Sequence, residues 1–189
     1  MKLMKKYLFS LGISLLTIFI LTGCTSSNST SNKSKPSGST ELVNNTKISV
    51  NKAAEIYQKE FSNAKMNSVE LQQHLGKPIY TIEGFDNKYE YEMTINALNK
   101  KIIHKSHENL DQDDLVELQN EQLDLSKVIS LNEAAKIAKK SAKTGKATEF
   151  QLKKEHGNTF WEVTIKNKSS EKEITINALD GNITKIEND

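Results

Sequence analysis

One stretch of this chain is written twice. Ile48-Ser49-Val50-Asn51-Lys52-Ala53-Ala54-Glu55-Ile56 returns 81 residues later as Ile129-Ser130-Leu131-Asn132-Glu133-Ala134-Ala135-Lys136-Ile137. At the same offset Thr94-Ile95-Asn96-Ala97-Leu98 returns as Thr175-Ile176-Asn177-Ala178-Leu179, and residues 48–106 align with 129–187 over 59 positions without a gap. A fixed internal period marks a duplicated structural unit. It restricts the chain to a fold assembled from two copies of one small module.

Each copy opens on a helix signal. Ser49 and Ser130 stand as N-caps, and Ser130-Leu131-Asn132-Glu133 has the Ser-x-x-Glu pattern of a capping box. Val50, Ala53, Ala54, Tyr57 and Phe61 then fall at helical spacing, as do Leu131, Ala134, Ala135, Ala138 and Ala142. Beyond the helix the period becomes two. Val69 and Leu71 match Phe150 and Leu152; Tyr80, Ile82 and Gly84 match Trp161, Val163 and Ile165; Met93, Ile95 and Ala97 match Ile174, Ile176 and Ala178. Asn99-Lys100-Lys101 and Asp180-Gly181-Asn182 mark tight turns, after which Ile102 and Ile183 begin a short closing strand. The order predicts an α+β fold: two tandem copies of a single helix packed on a small antiparallel sheet (α-β-β-β-β). A module of about 60 residues is near the lower limit for independent stability, so the copies either pack through a shared face or stand alone with thin cores. The Tyr80 and Trp161 positions are the candidates for the largest single burial, and Trp161→Ala should cost roughly 3–5 kcal/mol.

The N-terminus reads as an export signal. Lys2, Lys5 and Lys6 precede an uncharged apolar run from Tyr7 to Leu21, shorter than the roughly 20 residues of a spanning helix. The run ends in Leu21-Thr22-Gly23-Cys24, which resembles the bacterial lipobox and holds the chain's single Cys. That resemblance implies cleavage between Gly23 and Cys24 and a diacylglycerol thioether on Cys24; the alternative is a chance Cys after an uncleaved anchor. Two acyl chains anchor stably where one holds only marginally. Residues 25–40, TSSNSTSNKSKPSGST, are mostly small and polar, and such a segment is expected to remain a disordered tether. The resulting division is 1–23 signal peptide, 24–47 lipidated Cys and tether, 48–106 first repeat, 107–128 acidic linker and 129–187 second repeat.

The capped Ala-Ala helix, the aromatic-led strands Pro78-Ile79-Tyr80-Thr81-Ile82 and Thr159-Phe160-Trp161-Glu162-Val163, and the Ile-Asn-Ala-Leu segment before a turn together resemble the PepSY domain, in both copies. The family is named for propeptides of thermolysin-like metallopeptidases and for spore-germination proteins. The resemblance implies a helix-on-sheet fold and a role in restraining peptidases or binding proteins outside the membrane. Family members often carry Asp where this chain has Asn96 and Asn177, which argues against a cation site at those positions.

Little else in the sequence suggests chemistry. His104-Lys105-Ser106-His107 falls at a strand end, where the two rings point apart, and a metal site needs three or four converging ligands. His74 and His156 are isolated. His107-Glu108-Asn109-Leu110-Asp111 has Asp where His-Glu-x-x-His needs its second His, and the stretch from Asp111 lacks the Gly and Glu of a calcium loop, with Val116 and Gln122 in their places. No nucleophile elbow or phosphate loop is present. The expectation is therefore no catalytic residues, no metal, no cofactor and no enzymatic activity.

Charge narrows the partners. Without the three signal lysines the chain has 23 cations against 24 acids, and every cation is Lys, so the Arg fork that reads phosphate and guanine is missing and nucleic acid is not expected. Residues 107–126 carry seven acids and no Lys, whereas the following helix carries Lys136, Lys139, Lys140, Lys143 and Lys146 against Glu133. That basic face fits an anionic wall polymer or an acidic partner, or else a solvated surface balanced by the linker. The leading expectation is a lipoprotein on the outer face of the cell membrane, held there through its N-terminal lipid, whose repeats bind an extracytoplasmic protein, with a peptidase as the candidate. The alternatives are a surface sensor of a ligand or cation, and a structural spacer.

Overall fold

Ser49 and Ser130 do begin helices. The computed structural model describes residues 42–168 and 170–188. The signal segment, Gly23, Cys24 and the tether up to residue 41 lie outside the described residues. Two short segments, α1 (Leu42–Asn45) and α3 (Gln112–Asn120), flank the first repeat; its own helix is α2 (Val50–Glu60), and that of the second repeat is α4 (Leu131–Ala142). Ser49 Oγ accepts the Lys52 N–H at 3.2 Å. At α4 the full capping box forms: Ser130 Oγ accepts the Glu133 N–H at 3.2 Å, and Glu133 Oε2 accepts the Ser130 N–H at 2.9 Å.

The period-two segments are strands: β1 (Lys65–His74), β2 (Lys77–Phe85), β3 (Tyr89–Asn96) and β4 (Ile102–Asn109) in the first repeat, and β5 (Lys146–Glu155), β6 (Asn158–Lys166), β7 (Glu171–Asn177) and β8 (Ile183–Asn188) in the second. β4 is longer than a short closing strand and takes His107, Glu108 and Asn109 from the acidic stretch, because each finds a partner on Tyr91, Glu90 and Tyr89. The rest of that stretch is not extended linker throughout. Asp111 occupies the N-cap position of α3, with Asp113 and Asp114 in the first turn, where negative charge suits the positive end of the helix.

The two copies neither stack by their faces nor stand apart. Their sheets join edge to edge through antiparallel pairing of β1 with β5, giving one eight-stranded sheet in the order β4-β3-β2-β1-β5-β6-β7-β8. Edge pairing satisfies a whole strand of backbone donors and acceptors that a 60-residue unit would leave bare. The register carries a symmetry. Glu70 lies opposite Gln151, its own equivalent in the other repeat, while Val69 opposes Leu152 and Leu71 opposes Phe150. A two-fold pseudo-axis therefore passes between Glu70 and Gln151. An axis normal to the sheet keeps each face as it was, so both helices share one face and one core.

That core is continuous. Ala53, Tyr57, Val69, Leu71, Tyr80, Ile82, Met93 and Ile95 merge with Ala134, Ala138, Phe150, Leu152, Trp161, Val163, Ile174 and Ile176 in a single cluster. The aromatic of the second strand locks each helix start: Tyr80 Oη donates to the Ile48 carbonyl at 3.1 Å, and Trp161 Nε1 donates to the Ile129 carbonyl at 3.0 Å. Ile48 and Ile129 in turn donate their own N–H groups to the Ala97 and Ala178 carbonyls, at 3.2 and 2.7 Å. Leu42 and Leu123, also 81 residues apart, are buried and cross the pseudo-axis. α1 packs against α4 and β5, and the Leu123 N–H donates to the Met66 carbonyl of β1 at 2.8 Å.

Candidate functional site

Alternation along the strands gives the sheet a second face, opposite α2 and α4. Its central row, read through the register, is His104, Thr94, Thr81, Glu70, Gln151, Glu162, Thr175 and Lys185. One flanking row carries Ser106, Glu92, Glu83, Ser68 and Lys153, and the other carries Gln72, Glu149, Thr164, Glu173 and Glu187. These are the polar partners of the alternating apolar positions. The alternation is written along each strand, but which residues meet in a row is set by the strand pairing.

The carboxylates of this face are held close together. Glu83 and Glu92 are directly paired. Burial, reinforced by the charges of Glu92 and Glu90, pushes the Glu83 carboxyl up to about 7. Burial likewise pushes Glu70 up to about 7, with Glu149, Glu83 and Glu92 adding to it. Glu149 and Glu173 are also raised, chiefly by burial. Lysines of the same face answer them: Lys153 Nζ sits 2.9 Å from Glu162 and 2.8 Å from Glu155, and Lys185 Nζ sits 2.7 Å from Glu187. Burial alone would lower the Lys153 pKa, but its bonds to Glu155 and Glu162 carry it up. The chemistry available is recognition, through threonine hydroxyls, amides and carboxylates on a broad surface.

The histidines do not converge. His104 faces Thr94 on the polar side, while His107 pairs with Tyr91 on the helix side and meets the Tyr89 ring at 5.0 Å. His74 ends β1, and His156 sits in the β5–β6 turn with φ of 48°. Among the described residues no group of three His, Cys, Asp or Glu is placed to hold a metal ion. Asn96 and Asn177 have a structural task, each accepting the N–H two residues on, from Leu98 and Leu179, at 2.9 Å. Each amide oxygen thereby closes the turn after its strand.

On the helix side, the pseudo-axis opens a cleft of about 350 Å³ between the starts of α2 and α4, lined by Ile48, Val50, Ile129, Leu131, Tyr80 and Trp161 among others. No helix among the described residues is long and apolar enough to cross a membrane.

Known proteins resemble this chain. The family described as Peptidase propeptide and YPEB domain, PepSY, matches residues 47–105 and again 128–187. The crystal structure of a candidate lipoprotein from Clostridium difficile 630 superimposes with a TM-score of 0.71 at 28% identity, covering 76% of this chain and 95% of that one. YpmB protein from Bacillus subtilis matches at 22% identity and a TM-score of 0.33, over 72% of this chain and 94% of its own. The Bacillus megaterium YpeB C-terminal domain matches at 21% and 0.27, over 76% and 66%. No curated protein matches the chain significantly. With two matched segments that together span more than half of its length, the chain belongs to the PepSY family and carries that domain twice.

Proposed function

We propose that this protein is a non-enzymatic lipoprotein, anchored through Cys24 on the outer face of the cell membrane, whose fused PepSY repeats bind an extracytoplasmic protein and restrain a peptidase. The observation that supports it best is the second sheet face: eight strands wide, carrying Glu83, Glu92, Glu70, Thr81 and Thr94 in register, and opposite both helices. A broad polar surface suits protein recognition, whereas a reaction centre would need convergent groups in a recess. The likeness to a candidate lipoprotein and the Leu21-Thr22-Gly23-Cys24 motif support the anchor.

Two measurements test the reading. The lipid-free chain is titrated into the extracellular peptidases of the same cells, with hydrolysis of a peptide substrate as the readout. Inhibition that is lost on Glu83→Lys/Glu92→Lys supports restraint through this face; a flat curve removes the peptidase. Separately, Cys24→Ser should move the protein from the membrane fraction to the medium, and retention in the membrane would end the lipid-anchor reading.

A further inference from the structure

Residues 81 positions apart answer the same structural demands, so a difference between the repeats shows what the fold does not require. On the outer side of α2, Lys52 is bonded to Glu55, and Glu60 reaches Lys105 on β4 at 2.7 Å, leaving charge nearly balanced. The equivalents of Glu55, Lys59 and Ser62 are Lys136, Lys140 and Lys143, all exposed. Glu133, which replaces Lys52, is engaged by its cap. The neighbouring strand has changed in step. Lys105 closes the edge of the first repeat, but its equivalent is Ile186, 45% exposed, beside Ile183 at 40% and Leu179 at 55%. Ile183 and Ile186 lie on the helix side, because they pair with the core residues Ile176 and Ile174. The turn before β8 touches α4, since a Cβ on Gly181 would lie 3.1 Å from Ile137 Cδ1.

The helix side of the second repeat therefore has Lys136, Lys143 and Ile186 where the first repeat has Glu55, Ser62 and Lys105, and it exposes Leu179 and Ile183 where the matching Leu98 and Ile102 are half-buried; Lys140 keeps the charge of Lys59. The chain also enters the fold here, for α1 packs against α4. Cys24 precedes Leu42 by 18 residues, which limits the separation to about 60 Å of extended chain. From these observations we propose that the helix side of the second repeat rests on the anionic surface of a lipid bilayer. Lys136, Lys140 and Lys143 face the headgroup phosphates, and Leu179, Ile183 and Ile186 enter the boundary between headgroups and acyl chains. The proposal rests on the reading of Cys24 as the lipid attachment, and it gives the anchored protein an orientation: the polar sheet face, opposite α4, turns away from the membrane toward its partner.

The test uses the chain from residue 24 with Cys24→Ser, so that no acyl group contributes, in sedimentation with vesicles of equimolar phosphatidylglycerol and phosphatidylcholine or of phosphatidylcholine alone. Binding is expected to the anionic vesicles, to weaken as salt is added, and to fall at least about tenfold on phosphatidylcholine. Lys136→Glu/Lys140→Glu should produce a comparable loss, and Lys52→Glu/Lys59→Glu, the same charge change on α2, should leave binding within about twofold. Ile183→Ser/Ile186→Ser should weaken the salt-resistant part. Absence of binding to anionic vesicles, or equal losses from the α2 and α4 pairs, overturns the proposal. Equally tight binding to soluble polyglutamate overturns it too and assigns the lysines to an acidic polymer. Because no lipid is attached in this assay, its failure is distinct from a failure of the Cys24→Ser release experiment.

Discussion

Two tyrosines at the start of the first repeat show how the same atom can help or harm. Tyr80 Oη donates to the Ile48 carbonyl at 3.1 Å and ties strand to helix. Tyr57 is fully buried, and its hydroxyl has no hydrogen-bond partner. Burial foremost, with Tyr91, Glu83 and Asp86 nearby, pushes the Tyr57 phenol well above its ordinary pKa. An orphan buried hydroxyl costs about 1–3 kcal/mol of desolvation, whereas a made hydrogen bond contributes about 1 kcal/mol net. Tyr57→Phe should therefore stabilise the protein by about 1 kcal/mol and Tyr80→Phe should destabilise it by about as much, opposite signs for one deleted oxygen. Urea denaturation of the two variants checks this, and a loss of stability in both would refute it. The room for the Tyr57 ring comes from Gly84: a Cβ there would lie 2.3 Å from the Lys65 carbonyl oxygen and 2.5 Å from Tyr57 Oη. In the second repeat the helix position is Ala138 and the strand position is Ile165, so the same space is filled from the other side.

At the scale of elements, the polar face imposes a pH dependence. Glu70 and Glu83 titrate near 7 when folded and near the ordinary 4.5 when unfolded, so the folded state holds protons that the unfolded state has released. Stability is then greatest below about pH 4.5 as far as these groups are concerned, and declines as pH rises through the window to about 7. Thermal melts should show a lower Tm at pH 8 than at pH 5, and Glu83→Gln should raise the pH 8 value and flatten the profile. A melt whose Tm rises over that interval equally in both proteins would exclude this cause. The contrast between these carboxylates and the helices explains what could be read beforehand. Caps, apolar phase and turns are local, so Ser130-x-x-Glu133, Val69/Leu71 and Asp180-Gly181 were legible from the sequence, as was the repeat itself. Lys100 adopts φ of 68° where Gly181 has 78°, so even the turn without glycine kept its geometry. The pairing of β1 with β5, by contrast, joins residues some 80 positions apart, and neither edge announces its partner. The carboxylate rows are completed by that pairing, since Glu70 and Glu149 are neighbours only across the joined edge, and their full extent was not legible for the same reason.

For the whole molecule, the question is whether two ancestral units still behave as two. The first repeat holds four tyrosines, Tyr57, Tyr80, Tyr89 and Tyr91, and the second holds the only tryptophan, Trp161, so each half carries its own optical probe. Separate thin cores would unfold separately. Here one cluster of buried side chains runs from Met93 to Ile174, Leu42 and Leu123 reach across the pseudo-axis, and five residue pairs join β1 to β5. Cutting such a unit in half would expose the central strand edges and the apolar pairs Val69–Leu152 and Leu71–Phe150, so a half-folded state gains little. Urea curves followed by tyrosine near-ultraviolet dichroism and by tryptophan fluorescence should therefore coincide, with one midpoint, as a cooperative two-state domain requires. Trp161→Ala, which removes the 1%-exposed side chain that locks α4, should cost about 3–5 kcal/mol and move the tyrosine transition by as much as the far-ultraviolet one, although Trp161 itself belongs to the second repeat. Gln151→Pro gives the complementary case, since it puts a residue without an N–H at the centre of the joined edge. If the sheet is the cooperative unit, this variant should split or abolish the transition. A tyrosine transition left at its original midpoint in both variants would mean that the repeats remain two domains sharing an edge.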